Sequence, residues 1–329
     1  MLKKGILLVN LGTPDDCSTK SVRRFLKEFL SDGRVIELPS IIRWFLVNCL
    51  ILPTRPKKSA HAYSKIWHKN GSPLMINSTN LTHDIQVELG STYQVELAMR
   101  YGSYSINDAI NKFKNCNEIT ILPMFPQYAS ATTGSIIELI FTVSKELKVF
   151  PSLKIIRDFY QEPFFIKSQA QLIQNELQDD DYLLLSYHGL PENHLKSSGC
   201  AKGSKACCVN MSNCQSGCYL SQCLKTSQLI KNELNIDESR YTSSFQSRLG
   251  KTPWIKPYTD EVLDKLRQKG IDNLVVACPS FVSDCLETLE EIGIQAREQW
   301  LELGGKRFTL IPCLNNNPLW VTGLAELIK

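Results

Sequence analysis

Short apolar runs recur along the chain at intervals that leave room for a helix between them. The first set is GILLVNL (5–11), QVELAMRY (94–101), EITILPMF (118–125) and LKIIRDF (153–159). A second set follows: DYLLLSYHG (181–189), YTSSFQSR (241–248), NLVVACPSF (273–281) and RFTLIPC (307–313). Most lack strict apolar–polar alternation, the pattern expected of strands covered on both faces of a parallel sheet. Between them lie segments with helical spacing, among them SVRRFLKEFL, INDAINKF, GSIIELIFTVSKEL, SQAQLIQNEL, TDEVLDKLRQKG and ETLEEIGIQAREQWLEL. Alternating strand and helix predicts a doubly wound α/β architecture. Four strands followed by four more predict two similar halves, 1–160 and 161–329, without a residue-level repeat. In such folds the ligand lies beyond the carboxyl ends of the strands, so the residues after each strand are where chemistry is expected.

One stretch departs from this pattern. PSIIRWFLVNCLILP (39–53) is almost wholly apolar, with Arg43 as its single charge, yet it is too short to span a bilayer. It reads either as a buried helix or as an exposed apolar lip beside a greasy substrate or a membrane surface. The N-terminal MLKKGILLVNLG has too short an apolar core for a signal peptide and reads as the first strand. Without an export signal the cytoplasm is the default compartment, where clustered cysteines bind metal or do redox chemistry more often than they form structural disulfides. At 329 residues and 43% hydrophobic the chain can bury a core. Its net charge of +4 gives no argument for a nucleic-acid partner. There is no GxGxxG and no GxSxG, and Gly250-Lys251-Thr252 lacks the upstream glycine of a phosphate loop, Phe245 standing there instead.

Four groups could carry chemistry. His188 closes LLLSY and precedes Gly189-Leu190-Pro191, so it reads as a crevice histidine able to move protons or touch a metal, or as a core histidine bonded to backbone. In SDCLETLEE, a helix starting near Ser283 would put Asp284, Glu287 and Glu291 on one face, suited to a proton relay or a hard cation, or simply to a solvated helix start. FQSRLGKTPWIKPYTDE sets Trp254 and Tyr258 among Arg248, Lys251 and Lys256, a floor for a flat anionic ligand or an ordinary loop. TTGSIIEL (132–139) opens a helix whose free N–H groups could bind a carboxylate, and Arg100-Tyr101-Gly102 ends the second strand with a cation.

Taken together and in order, LLVNLGTP, FPQYASATTGS, SYHGLP, FQSRLGKTPWIKPYTDE, SFVSDCLETLEE and NNNPLW resemble the ferrochelatases over nearly the whole chain. The resemblance implies two Rossmann-like halves, each with a four-stranded parallel sheet flanked by helices. It implies a lyase that inserts Fe²⁺ into protoporphyrin IX to form haem. His188 and Glu287 match the family's catalytic and metal-facing pair, with Glu291 and Asp284 behind them. Leu11, Arg100, Tyr101, Tyr128, Ser135, Gln246 and Trp254 match positions lining or flanking the macrocycle pocket. Leu11 leans toward protoporphyrin over coproporphyrin. One departure is Cys285, where many relatives carry histidine. The resemblance also favours the exposed-lip reading of 39–53, making the enzyme cytoplasmic and peripheral on the inner membrane, and it leaves a homodimer open. Two alternatives stand beside it: a haem- or porphyrin-binding sensor on the same fold, and a chelatase for another metal or tetrapyrrole.

GCAKGSKACCVNMSNCQSGCYLSQC (199–223) concentrates six of the twelve cysteines. Cys214-x₃-Cys218 and Cys218-x₄-Cys223 have zinc-site spacing, and a disulfide is a further reading. Some ferrochelatases hold a 2Fe–2S cluster with four cysteines in this internal stretch, and Cys200, Cys208, Cys214 and Cys218 resemble that set, with Cys207 or Cys223 able to replace a neighbour. The animal-type arrangement is excluded, because Ser130 stands at its upstream position and no cysteine follows Cys313.

Overall fold

Each of the eight apolar runs overlaps a strand: β1 (Lys3–Gly12), β2 (Tyr93–Tyr101), β3 (Cys116–Pro123), β4 (Ser152–Ile155), β5 (Tyr182–His188), β6 (Tyr241–Gln246), β7 (Asn273–Ala277) and β8 (Arg307–Leu310). The computed structural model describes residues 3–197, 200, 217–250 and 252–329. Several strands stop short of their apolar runs because proline cannot donate to a ladder: Pro123 closes β3, and Pro279 and Pro312 follow β7 and β8. All strand pairings are parallel. The orders are β2-β1-β3-β4 and β6-β5-β7-β8, so the two sheets repeat one topology. In each, the direction of winding reverses at the first strand, which places a crevice at the carboxyl ends of β1/β3 and of β5/β7.

The chain forms two compact units. The first comprises Met1–Phe125, Ala129–Asp158 and Asn315–Lys329; the second comprises Pro126–Tyr128 and Phe159–Leu314. In the first, Leu7, Val9, Ile119 and Ile121 pack against Ile106 and Ile110 of helix Ile106–Lys112 and Ile136 and Ile140 of helix Ser135–Ser144. In the second, Leu184, Leu274 and Val276 pack against Leu263 of helix Thr259–Gln268 and against Ile292 and Trp300. The last segment, Asn315–Lys329, falls in the first unit. Helix Pro318–Ile328 packs on helix Pro73–Leu89 of the first unit, with Asn316 Nδ2 donating to Asp84 Oδ2 at 2.8 Å. Asn317 caps that helix by accepting from Leu319 N and Trp320 N, and Trp320 is fully buried.

The apolar stretch 39–53 is helical but not buried. Ser40–Phe45 is an α-helix that passes into a π-helical turn, Leu46–Ile51. Only Val47 and Leu52, five apart on its inner side, are buried, against Leu30. Ile41 is 81% exposed, Trp44 62%, Phe45 56% and Leu50 57%. Of the two readings of this stretch, the exposed lip is the one that describes the side chains.

Candidate active site

His188, Asp284, Glu287 and Glu291 all lie in the second unit, at the end of β5, after β7 and in the helix that follows. Tyr182–Tyr187 is buried on both faces, and His188, the last residue of β5, is the first to emerge half-buried. Its backbone is pinned twice: His188 N donates to Ser280 Oγ at 3.0 Å, and Tyr219 OH donates to His188 O at 2.8 Å. The ring lies between Phe281 and Trp254, with centroids at 6.1 and 6.5 Å. Nδ1 is 2.6 Å from Gly189 O. A carbonyl only accepts, so Nδ1 carries the proton, and in the neutral ring Nε2 keeps its lone pair. Gly189 has to be glycine here, since a Cβ would stand 2.8 Å from Gln246 O and 3.3 Å from the Trp254 ring.

Facing this histidine's strand is a long π-helix, Glu287–Ala296, which continues as helix Arg297–Glu302. Such segments cluster at functional sites because their wider turn is harder to hold. Glu287 and Glu291, four apart, share a face and are both half-buried. Ser247 N donates to Glu291 Oε1 at 2.7 Å and Ser247 Oγ donates to Oε2, while Gln246 Nε2 lies 3.4 Å from Oε2. Burial raises the proton affinity of Glu291, and the nearby Glu287 charge adds to it; the Ser247 hydrogen bonds and His188 oppose, and the net direction is up. A carboxylate in that condition can accept a proton closer to neutrality than an ordinary one. Asp284 precedes the helix. It is buried, and its Oδ1 accepts from Cys313 N at 3.1 Å, tying the loop after β7 to the chain after β8.

In the same unit Trp254 is half-buried, its Nε1 donating to Leu249 O at 3.0 Å. Tyr128 is half-buried too, and its backbone N–H donates to Gln222 Oε1 at 2.6 Å. Gln246 is 3% exposed and turned inward.

The first unit holds a separate polar cluster. Asp32, just past helix Thr19–Ser31, accepts at Oδ2 from Arg100 Nη2 at 2.6 Å, from Tyr101 OH at 2.8 Å and from Ser135 Oγ. Its Oδ1 accepts from Arg34 N at 2.7 Å. Burial works against the Asp32 charge, but the bonds from Ser135, Arg34 N and Tyr101 and the Arg100 charge outweigh it, so its pKa is lowered. Arg100 and Leu11 are half-buried, whereas Tyr101 and Ser135 are 1% exposed.

Residues 3–329 match the family model for ferrochelatase. The chain belongs to the ferrochelatase family. A ferrochelatase of Legionella pneumophila is 50% identical over 328 residues, covering 100% of this chain and 99% of the relative. One from Coxiella burnetii is 47% identical over 334 residues, covering 99% of this chain and 93% of the relative. Among solved structures, SirB from Bacillus subtilis with Fe³⁺ superposes with a TM-score of 0.56 at 10% identity, over 99% of this chain and 94% of that one, a likeness of fold.

Burial, then the Glu287 charge and a hydrogen bond to it, push the Cys285 thiol well above its ordinary pKa. It stays neutral and cannot stand in for a histidine as base or cation.

Of the cysteine-rich segment, Cys207, Cys208 and Cys214 lie outside the described residues, as does Lys251 of the basic-aromatic group. Cys200 is half-buried; Cys218, at the start of helix Tyr219–Leu234, and Cys223 within it are buried. Among the described residues no group of three or more His, Cys, Asp or Glu is placed to hold a metal. The helix opening at Cys218 nonetheless bears on the site, because its first residue, Tyr219, holds the His188 carbonyl. Sequence reasoning missed Tyr219, Ser247, Ser280 and Asp32. Only Ser247 carried a local signal, a polar residue directly after a strand that ends in glutamine.

Proposed function

We propose that His188 accepts pyrrole protons and meets the iron, that Glu287 is its partner, and that Glu291 passes protons onward. As a ferrochelatase-family member the protein is a lyase that inserts Fe²⁺ into a porphyrin in haem synthesis. Metallation removes two N–H protons and delivers a dication to the ring centre, so it needs a neutral acceptor and a path for positive charge. The observation that carries the reading is the Nδ1–Gly189 O bond, which in the neutral ring leaves the lone pair on Nε2. Glu291, with its raised proton affinity, suits the second station of a relay. Asp284 serves as a structural anchor through Cys313 N.

The substrate is protoporphyrin IX. Leu11 and Arg100 of the first unit are half-buried, as are Tyr128 and Trp254 of the second. Tyr101 and Ser135 hold Arg100 from buried positions, and Gln246 is buried in the second unit. Residues 39–53 meet a membrane surface through Ile41, Ile42, Trp44 and Phe45, as a peripheral contact on the cytoplasmic side. Among the described residues no helix is long and apolar enough to cross a membrane. A 2Fe–2S cluster on Cys200, Cys208, Cys214 and Cys218 completes the reading; four thiolates satisfy such a cluster, and two of these residues are described. When bound it supplies a one-electron redox centre.

Anaerobic turnover of protoporphyrin IX with Fe²⁺, followed by loss of porphyrin fluorescence, tests the reading beside His188→Ala. Turnover that vanishes in the variant supports it. Tight porphyrin binding by the wild type without turnover would favour a sensor.

A further inference from the structure

We propose that Gln246 and Ser247 are positioning residues that hold the π-helix and the Glu291 carboxylate in working alignment and do not themselves meet the porphyrin. This rests on the reading of Glu287 and Glu291 as the working carboxylates.

Gln246 ends β6 and pairs in register with His188. Its amide orientation is determined by what surrounds it. Nε2 donates to Glu287 O at 2.8 Å and points at Glu291 Oε2 at 3.4 Å. A flipped amide would set its oxygen against a carbonyl and a carboxylate, all of them acceptors. Oε1 therefore faces the sheet, where it accepts from Ser186 Oγ at 2.8 Å and lies 3.8 Å from Cys278 Sγ.

A buried string of hydroxyls enforces this. A hydroxyl has one proton to donate. Ser186 gives its proton to Gln246, so Thr259 Oγ1, 3.0 Å away, must donate to Ser186. Ser244 Oγ, at 2.9 Å, must in turn donate to Thr259. Every hydrogen bond in the string then runs toward Gln246 and through it toward Glu287 and Glu291. No polar atom of the Gln246 side chain is left over for a substrate, and the residue is 3% exposed.

Ser247 completes the clamp by a backbone device. Its φ is 68°, in the left-handed region that a non-glycine residue enters only when its surroundings compensate. The compensation is Glu291, whose two oxygens receive the Ser247 N–H and O–H separately. Together the pair binds the carbonyl of Glu287, at the start of the π-helix, and the side chain of Glu291, one turn on. The two carboxylates are aligned by this grip on the helix as well as by their spacing.

The test is steady-state kinetics of Gln246→Met, Gln246→Glu and Ser247→Ala under anaerobic conditions, with protoporphyrin IX affinity measured by fluorescence titration without iron. The clamp predicts kcat lower by about 10- to 100-fold in each, with KM and Kd for porphyrin within about threefold of wild type. Gln246→Glu should be the most impaired, since it sets a carboxylate against Glu291. A raised porphyrin Kd with kcat preserved would make these residues substrate contacts and overturn the proposal, as would unchanged kcat. Ser247→Ala leaves the buried string intact and decides the matter if the Gln246 variants fail to fold. His188→Ala and Glu287→Gln run alongside. If those keep wild-type turnover, the underlying reading has failed; if they are inactive while Ser247→Ala is unaffected, only the clamp has failed.

Discussion

Asp32→Asn tests whether the polar cluster of the first unit is held together by one charge. The substitution keeps size and shape but replaces one acceptor oxygen by a donor. With the amide nitrogen at the Oδ2 position it meets three donors, from Arg100, Tyr101 and Ser135. With the amide turned over, the nitrogen meets the Arg34 N–H instead. Neither orientation satisfies the site, and Arg100 is left without its counter-charge. The Asp32 and Arg100 side chains are 9% and 17% exposed, so solvent relieves little of this. Charge-assisted bonds and broken buried pairs place the cost at about 3 kcal/mol. The sign with pH follows from the lowered Asp32 pKa. Stabilisation by a depressed carboxylate is full above its unfolded value, about pH 4, and is lost as pH falls through the lower folded value. Asparagine does not titrate there, so the gap between wild type and variant should close in acid. Hydrogen exchange read peptide by peptide over residues 3–125 reports this unit separately from the other. Slow amides of the first unit should exchange roughly 100-fold faster at pH 7, with a smaller ratio near pH 3. A change under threefold at pH 7, or a ratio that does not shrink in acid, would refute the assignment of the cluster's stability to that charge.

Other consequences are as direct. Gly189→Ala forces a Cβ against Gln246 O and the Trp254 ring, and a displacement of that kind should lower kcat about 100-fold and lower thermal stability as overpacking does; wild-type turnover would show that the His188 loop tolerates the shift. Tyr219→Phe removes the bond to the His188 carbonyl and should lower kcat several-fold without weakening porphyrin binding, as fluorescence titration would report. Ile41→Ser with Trp44→Ser removes two large exposed side chains, each contributing about 1.5–3 kcal/mol when buried. Vesicle sedimentation should weaken by at least about tenfold, and an unchanged partition would end the membrane-contact reading. As-purified protein should show charge-transfer bands that dithionite bleaches and that Cys208→Ser abolishes; a colourless protein with stoichiometric zinc would replace the cluster by a structural metal.

The apolar runs located all eight strands, because a strand buried on both faces must be apolar throughout and few other segments are. They overran the strand ends because apolar residues such as Phe125 and Phe281 continue beyond the prolines that stop the ladder. The places of His188 and Glu287 in the fold were legible for a related reason: one ends a parallel strand and the other opens the helix that follows β7. Glu291 followed from spacing, since residues four apart share a helical face in either helix type.

Tertiary structure alone decided the rest. The helix begins after Asp284, whose Oδ1 accepts from Cys313 N, 29 positions further along the chain. The lip's exposure could not be read from an apolar string that would equally suit a core. The C-terminal helix joined the first unit through a partner in Asp84, far back along the chain. Asp32 meets Ser135 across 103 positions, and Ser247 reaches Glu291 only because its backbone turns left-handed. Local sequence determines which segments extend, coil or hide, since those depend on neighbours within a few residues. Which polar groups meet depends on contacts between distant segments, and these exist only once the sheets have formed.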